Sequence, residues 1–135
     1  MAKWLFKSDP ETYGLVDLER DGKTVWDGVS NPVALKNLRA CKKGDQVFIY
    51  HSGAEKAIVG IAEVLKDGYP DPKQKDTKLA VVDIKFVKRV KAPVTLAAVK
   101  QRKEFADFAL VRLSRLSVMP VTDAQWQLLM RMAGE

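Results

Sequence analysis

The chain has 135 residues, of which 47% are hydrophobic and 30% are charged, and this predicts one globular domain, residues 1–135. It lacks a run of about 18 apolar residues, so we expect no membrane-spanning helix. Residues 1–11 lack the apolar stretch and cleavage site of a secretory signal, and the single cysteine, Cys41, cannot form an internal disulfide. We therefore expect a monomer in the reducing cytoplasm.

The net charge of +6 is unevenly distributed along the sequence. Seven basic residues and no acidic residue lie between Lys85 and Lys103. Such a stretch could contact a phosphate backbone, with Lys88, Arg89 and Lys91 as the candidate contacts. A solvated strand end followed by a helix start explains the same pattern equally well.

The first third of the chain predicts two strands and two helices. Residues 3–7 alternate in the manner of a strand. Ser8-Asp9-Pro10-Glu11 matches a capping box, with Ser8 as the cap of a short helix. A brief strand is expected at 24–26, between two Asp-Gly turns. Asn31-Pro32 should begin the second helix, which ends before the glycine of Lys42-Lys43-Gly44.

The middle of the chain predicts two neighbouring strands. Residues 46–51 alternate, and this strand ends on Tyr50 and the only histidine, His51. Residues 57–65 are apolar almost throughout, as in a strand that is covered on both faces. Gly60 within this run indicates a bulge or a close backbone approach.

The rest of the chain begins with a long polar loop, 66–78, that would present Tyr69 in an ordered conformation. Strands occur both before and after helices without a βαβ rhythm, so the predicted fold class is α+β. The remaining elements are a strand over 79–87, a helix from a Thr95 cap to about Lys103, a strand over 115–121 and a closing helix behind a capping box at 122–125.

Enzyme motifs are missing from the sequence, which has no glycine-rich phosphate loop, no GxSxG, no HExxH and no paired cysteines. Cys41 is most simply a core thiol. His51 could act as a general base, but a hydrogen-bonded structural role is commoner. The first acid beyond it, Glu55, follows a glycine turn, so no carboxylate is expected to orient the ring. We expect no metal and no cofactor.

Aromatic residues next to turns or at element ends indicate a different kind of site. Trp26, Tyr50 and Tyr69 have such positions, and aromatic faces stack on nucleobases with roughly 1–3 kcal/mol per base. The more frequent role of such aromatics is to cap the core. Polar residues that could hydrogen-bond a base edge are Asp27, Asn31, Ser52 and Arg115.

Short motifs occur in order over nearly the whole chain: WLFKSDP at 4–10, WDGV at 26–29, LR at 38–39, KGD at 43–45, YHS at 50–52, VGIAEV at 59–64, YPDP at 69–72 and RLSV at 115–118. Jointly they resemble the EVE domain family, a branch of the PUA-like superfamily that also includes the YTH and ASCH domains. The sequence departs from the family at Ser30-Asn31-Pro32, where Arg-Asn-Tyr is frequent, and so lacks a cation and an aromatic near this turn.

The resemblance implies a PUA-like mixed β-barrel core with surrounding short helices. It also implies a pocket that accepts a flipped, chemically modified nucleobase. With Asn31 added for its amide, the residues expected at this pocket are Trp26, Asn31, Tyr50, His51, Ser52, Tyr69, Pro70, Arg115 and Ser117.

The predicted function is therefore the binding of DNA or RNA that carries a modified base, derived from cytosine, without catalysis. Trp26 would be one stacking wall, and Tyr50 or Tyr69 another. One alternative is an ASCH-like hydrolase of modified nucleosides or RNA, in which His51 is the base and Arg115 holds the developing negative charge. The other is a protein-interaction module without base binding.

Overall fold

A computed structural model describes residues 1–74 and 78–135 of the chain. Within these residues the strands are β1 (Lys3–Ser8), β2 (Lys23–Trp26), β3 (Gln46–His51), β4 (Ala57–Val64), β5 (Tyr69–Pro70), β6 (Ala80–Thr95) and β7 (Val118–Val121). The helices are α1 (Pro10–Tyr13), α2 (Leu15–Asp21), α3 (Pro32–Ala40), α4 (Leu96–Lys100), α5 (Ala109–Arg112) and α6 (Asp123–Met132), with a 3-10 turn at Lys103–Phe105.

All of these strands belong to one mixed sheet, in the order β2-β6-β4-β3-β1-β7, and β5 pairs with the beginning of β6. β1 and β3 are parallel, and the other pairs are antiparallel. The sheet curls on itself, because the rings of Phe6 on β1 and Trp26 on β2 approach to 5.5 Å although three strands separate β1 from β2. This architecture confirms the predicted α+β class.

The core lies between the curled sheet and its helices. Phe6 and Phe48 are fully buried, and the ring of Phe48 stacks on that of Trp126 from α6 at 3.8 Å. Asp45 is a buried polar residue whose Oδ2 accepts hydrogen bonds from the indole N–H of Trp4 and the backbone N–H of Lys42, both at 2.9 Å. Its Oδ1 accepts from the backbone N–H of Ala2 at 3.1 Å. Because each carboxylate oxygen has a donor, this buried charge fixes the start of β3 against β1.

Gly60 allows α2 to lie close to β4. A Cβ atom added at Gly60 would lie 2.5 Å from Cδ1 of Leu15, which is the first residue of α2. The pairing of β4 with β6 also shifts register between Ile58 and Gly60. The predicted bulge is therefore confirmed, and the group that approaches Gly60 closely is the side chain of Leu15 and not another backbone segment.

The predicted helix starts at Asn31, Thr95 and Thr122 are confirmed, since each side chain accepts a hydrogen bond from the first turn of its helix. The capping box at Ser8 is wrong. Asp9 is the cap of α1 and accepts from the N–H of Glu11 at 3.0 Å, whereas the hydroxyl of Ser8 donates to the carbonyl of Tyr13.

Two other expectations differ in length from the structure. β6 continues to Thr95 because it pairs with β4 and β2 along most of its length, whereas α4 ends at Lys100. The last strand contains only Val118–Val121. The predicted polar loop includes β5, and its residues 75–77 lie outside the described part of the chain.

Cys41 is fully buried at the end of α3, and its thiol donates to the carbonyl of Asn37 at 3.4 Å. Burial raises the pKa of Cys41 to about 12, and nearby Asp45 adds to this shift. The predicted core thiol is therefore confirmed.

Among the described residues, no helix combines the length and the hydropathy that a membrane crossing requires.

Candidate nucleic-acid interface

A cleft of about 890 Å³ opens where the end of β1, the end of β2 and the segment before β7 come together. Of the two outer strands in the sheet order, β2 lines the cleft directly, and β7 is represented by the segment that precedes it. Its lining residues are Lys7, Ser8, Asp9, Thr12, Tyr13, Thr24, Val25, Trp26, Asp27, Gly28, Val29, Ser30, Asn31, Lys73, Arg115 and Ser117.

Trp26 belongs both to the core and to the wall of this cleft. Its side chain is only 9% exposed, it packs on Phe6, and the ring of Tyr13 meets it edge-on at 6.5 Å. Within the described part of the chain its indole N–H has no acceptor, and it is not among the fully buried atoms. Trp26 therefore offers the cleft a fixed ring and an unused hydrogen-bond donor.

Asn31 offers a second unused donor. Its carbonyl oxygen accepts from the N–H groups of Val33 and Ala34 at 2.9 and 3.1 Å, which fixes the side chain at the start of α3. Its NH₂ group then has no partner among residues 1–74 and 78–135. The helix cap thus holds this amide in place while its donors stay available at the cleft.

The segment before β7 brings Arg115 and Ser117 to the opposite side of the cleft. The carbonyl of Ser117 accepts from the N–H of Lys7 at 2.8 Å, which attaches this segment to the end of β1. In the part of the chain that the structure describes, neither the guanidinium of Arg115 nor the hydroxyl of Ser117 has a partner. Both groups can therefore bind a ligand without breaking an existing interaction.

The cleft carries more positive than negative charge. Its described lining contains the cations Lys7, Lys73 and Arg115 and the carboxylates Asp9 and Asp27. The ammonium of Lys7 donates to the carbonyl of Ser114 at 2.9 Å, and burial lowers its pKa. Asp9 is occupied as the cap of α1. This balance favours an anionic ligand such as a phosphodiester chain.

A second cavity of about 340 Å³ adjoins the cleft, because Asn31 and Arg115 line both. Its other lining residues are Val33 from α3 and the segment Arg112, Leu113, Ser114 and Leu116. Two of these residues, Val33 and Leu113, are aliphatic yet more than half exposed, at 52% and 53%.

The structure brings Trp26, Asn31, Arg115 and Ser117 of the predicted pocket into the lining of the cleft. The other predicted pocket residues do not line it: Tyr50, His51, Ser52, Tyr69 and Pro70.

Tyr50 and Ser52 contact Lys7 and Ser8, two residues that line the cleft. The ring of Tyr50 is buried, and its centroid lies 5.7 Å from the ammonium of Lys7. The backbone N–H and the hydroxyl of Ser52 both donate to the carbonyl of Ser8, at 2.9 and 3.2 Å. These residues therefore fix the end of β1, which in turn forms a wall of the cleft.

His51 is held at both ring nitrogens. Nε2 is the acceptor for the backbone N–H of Leu15 at 2.9 Å, so the proton of the neutral ring is on Nδ1, which faces Glu55 Oε1 at 2.7 Å. The expectation that no carboxylate orients this ring is thus wrong, since the turn after β3 brings Glu55 back to it. Because neither nitrogen is free, this arrangement favours a structural role over that of a general base.

Tyr69 is ordered, as predicted, but its hydroxyl and ring are both engaged. The hydroxyl donates to Asp83 at 2.6 Å, and the ammonium of Lys66 lies 4.2 Å from the ring centroid. Burial, and after it the hydrogen bond to Asp83, raises the pKa of Tyr69 to about 12. Pro70 follows in the short strand β5.

The three candidate phosphate contacts lie on β6, and two of them form ion pairs. Lys88 is bound to Glu135, and the guanidinium of Arg89 donates twice to Glu19, at 3.0 and 2.7 Å. The backbone N–H of Lys91 also donates to Glu135, at 2.9 Å.

No group of His, Cys, Asp and Glu side chains that could hold a metal ion occurs in the described ranges.

Sequence reasoning missed Tyr13, Lys7 and Lys73 as lining residues. Lys7 lies within the WLFKSDP motif, so the motif was a signal for it. Tyr13 and Lys73 gave no such signal, because their place depends on how α1 and the segment after β5 pack beside β2. Tyr13 is fixed by its hydroxyl, which donates to Asp21 at 2.8 Å.

The family model described as EVE domain matches residues 2–132. The chain belongs to the EVE domain family. A protein from Rhodopseudomonas palustris with an NMR structure is 45% identical, the alignment covers 99% of this chain and 94% of that chain, and the TM-score is 0.93. The motifs that predicted the family therefore identified it correctly.

The human protein thymocyte nuclear protein 1 is a curated relative of this EVE domain. It is 30% identical over 93% of this chain and 71% of its own length. A crystal structure shows human THYN1 in complex with DNA that contains 5-methylcytosine. The protein in that structure is 28% identical in sequence to this chain, the alignment covers 100% of this chain and 99% of that chain, and the TM-score is 0.91.

An ASCH protein from Zymomonas mobilis shares the fold at 13% identity, with 96% of each chain covered and a TM-score of 0.65. This likeness confirms the predicted PUA-like α+β fold, and at such low identity it supports no statement about activity.

Proposed function

We propose that this EVE domain binds DNA by accepting a modified cytosine, extruded from its strand, into the cleft between β1, β2 and the segment before β7. One observation carries the proposal: four groups on the cleft wall have no partner within the described residues. They are the indole N–H of Trp26, the side-chain NH₂ group of Asn31, the guanidinium of Arg115 and the hydroxyl of Ser117. The DNA complex of the human relative supports DNA as the partner.

The chemistry of the wall suits a cytosine. O2 and N3 of cytosine accept hydrogen bonds, which Trp26 and Asn31 can donate, and the hydroxyl of Ser117 can either donate or accept. Val25 and Val29 line the same cleft and give apolar contact for a substituent at C5 of the ring. Such a pocket favours a base with a methyl or similar group over unmodified cytosine.

The free energy that contacts in the cleft can supply is comparable to the cost of extruding a base. Extrusion of a base costs a few kcal/mol. Stacking on an aromatic face contributes roughly 1–3 kcal/mol, and each good hydrogen bond adds about 1 kcal/mol. Two or three hydrogen bonds from the cleft wall, or fewer together with stacking on an aromatic ring, are therefore enough to offset extrusion.

The cations of the cleft are the better-placed phosphate contacts in this proposal. Lys73 and Arg115 lie beside the cleft without a carboxylate partner in the described part of the chain. Lys88 and Arg89 on β6 would first have to leave Glu135 and Glu19. Of the three β6 candidates, only the ammonium of Lys91 has no ion pair among the described residues.

Binding without catalysis is proposed because His51, the candidate base of a hydrolase, uses both ring nitrogens within the fold. The proposal is tested by fluorescence polarisation with matched DNA duplexes that carry one 5-methylcytosine or one cytosine, and with an RNA of the same sequence. We expect the methylated duplex to bind most tightly. Equal affinity for both duplexes would refute recognition of the modified base, and tighter binding of RNA would refute the assignment to DNA.

A further inference from the structure

The second cavity, which adjoins the cleft, has a partly apolar wall. Val33 and Leu113 expose more than half of their side chains, which leaves apolar surface in contact with water at its wall. Leu116 lines the same cavity and is buried, so the apolar wall continues into the core. A volume of about 340 Å³ is sufficient for a flat ring of the size of a nucleobase.

The position of this cavity next to the cleft indicates which ligand group would bind there. Asn31 and Arg115 line both the cavity and the cleft, so the two spaces meet along these side chains. A strand whose modified base lies in the cleft can continue past this boundary, where the guanidinium of Arg115 can bind the intervening phosphate. The neighbouring nucleotide then lies next to the apolar wall.

We infer that the second cavity is a subsite for the base adjacent to the modified cytosine, packed on Val33 and Leu113. This inference rests on the proposed function of the cleft. The lining contains no aromatic ring among the described residues, and its apolar members, Val33, Leu113 and Leu116, carry no hydrogen-bonding side chain, so they contact the base through area and not through a hydrogen-bond code. Affinity therefore depends on whether a base is present there, and only weakly on which base it is.

The inference predicts an effect that is confined to one neighbour. The ligands are three trinucleotides with a central 5-methylcytosine: one intact, one with an abasic site on the 5′ side and one with an abasic site on the 3′ side. For the wild-type protein, one of the abasic sites should weaken binding about fivefold, as expected when roughly 40 Å² of apolar surface stays uncovered.

The variant Leu113→Ala completes a double-mutant cycle with these ligands. It should bind the intact trinucleotide more weakly, by up to about fivefold, and should then lose less at the critical abasic site than the wild type does, because the Leu113 contact is already absent and only that of Val33 remains. Val87→Ala is the matched control, since Val87 is a half-exposed aliphatic residue on β6 that lines neither cavity. It should behave as the wild type does. Melting temperatures of both variants verify the fold.

The possible failures are distinguishable. If the wild type binds the intact trinucleotide but tolerates both abasic sites, or if the losses from Leu113→Ala and the abasic site add fully, the subsite is refuted while the cleft proposal stands. A fourth trinucleotide carries unmodified cytosine at the centre. If the wild type binds it as tightly as the intact trinucleotide with 5-methylcytosine, the proposed function is refuted and the subsite with it.

Discussion

In the cleft, Arg115 has no carboxylate partner within the described residues, whereas on β6 Arg89 donates two hydrogen bonds to Glu19 and Lys88 is bound to Glu135. Both regions carry exposed cations, and the sequence alone makes the β6 stretch the more basic of the two. The difference lies in pairing, because a cation that already has a partner must give it up before it binds a phosphate.

The same contrast separates the polar groups of the two strand ends. At the end of β3, His51 and Ser52 make hydrogen bonds within the fold. At the end of β2, the N–H of Trp26 has none among the described residues. Satisfied groups stabilise the scaffold, and unsatisfied accessible groups are available to a ligand.

Arg115→Ala should have the largest effect on affinity for methylated DNA. Loss of a hydrogen bond to a charged group costs about 1.5–3 kcal/mol, or about 10- to 150-fold in affinity. Arg89→Ala is the matched control, because it removes the same side chain from a surface ion pair. Its effect should be below about twofold, and polarisation titrations measure both. A larger loss from Arg89→Ala than from Arg115→Ala would reverse the assignment of phosphate contacts.

The salt dependence of binding refines this comparison. Each lost phosphate contact should lower the slope of log K against log salt concentration by about 0.9 on duplex DNA. Arg115→Ala should therefore flatten the slope, whereas neutralising Lys88 and Arg89 together should leave it almost unchanged. A slope that responds only to the β6 double variant would place the phosphate backbone on β6.

Trp26→Phe should have the next largest effect, a loss of about fivefold for the methylated duplex, because one hydrogen bond of about 1 kcal/mol disappears. Phenylalanine keeps an aromatic ring against Phe6, so the fold should survive. Trp26→Ala is the poorer test, since Trp26 is 9% exposed and its truncation leaves a hole in the core.

Trp126→Phe is the control for the tryptophan comparison. Trp126 stacks on Phe48 within the core and lines neither cavity, so its replacement should lower the melting temperature and leave the affinity unchanged. If the two variants lost affinity in parallel, the effect of Trp26→Phe would reflect stability and not a direct contact.

His51→Leu should change affinity least, by less than about twofold, and should lower stability by about 1–3 kcal/mol, because the buried N–H of Leu15 loses its acceptor. Denaturant unfolding measures the stability, and mass spectrometry of modified nucleosides incubated with the wild type looks for products. New products that depend on His51 would show that the hydrolase alternative is correct.

Local patterns predicted the parts of the fold that neighbours in sequence determine. The caps at Asn31 and Thr122 depend on the next three residues, and the motif WDGV marked the turn that follows Trp26. The bulge at Gly60 followed from a glycine within an apolar strand.

Contacts between distant residues were beyond such patterns. Arg89 and Glu19 are 70 residues apart, and they meet only because β6 lies near α2. The ring of Trp26 reaches Phe6 only because the sheet curls. The roles of Tyr50, His51, Ser52, Tyr69 and Pro70 at a nucleobase, the phosphate contacts of Lys88, Arg89 and Lys91, the monomeric state and the cytoplasmic location stay predictions.

The indole N–H resonances of the three tryptophans test the central claim most directly. Trp4 donates to the buried Asp45 and Trp126 lies in the core, so only the N–H of Trp26 is available at the cleft. In a ¹H–¹⁵N titration with a duplex that contains 5-methylcytosine, the Trp26 resonance should shift strongly while the other two stay in place. Shifts of equal size with unmodified DNA, or an unchanged Trp26 resonance at saturation, would contradict the account.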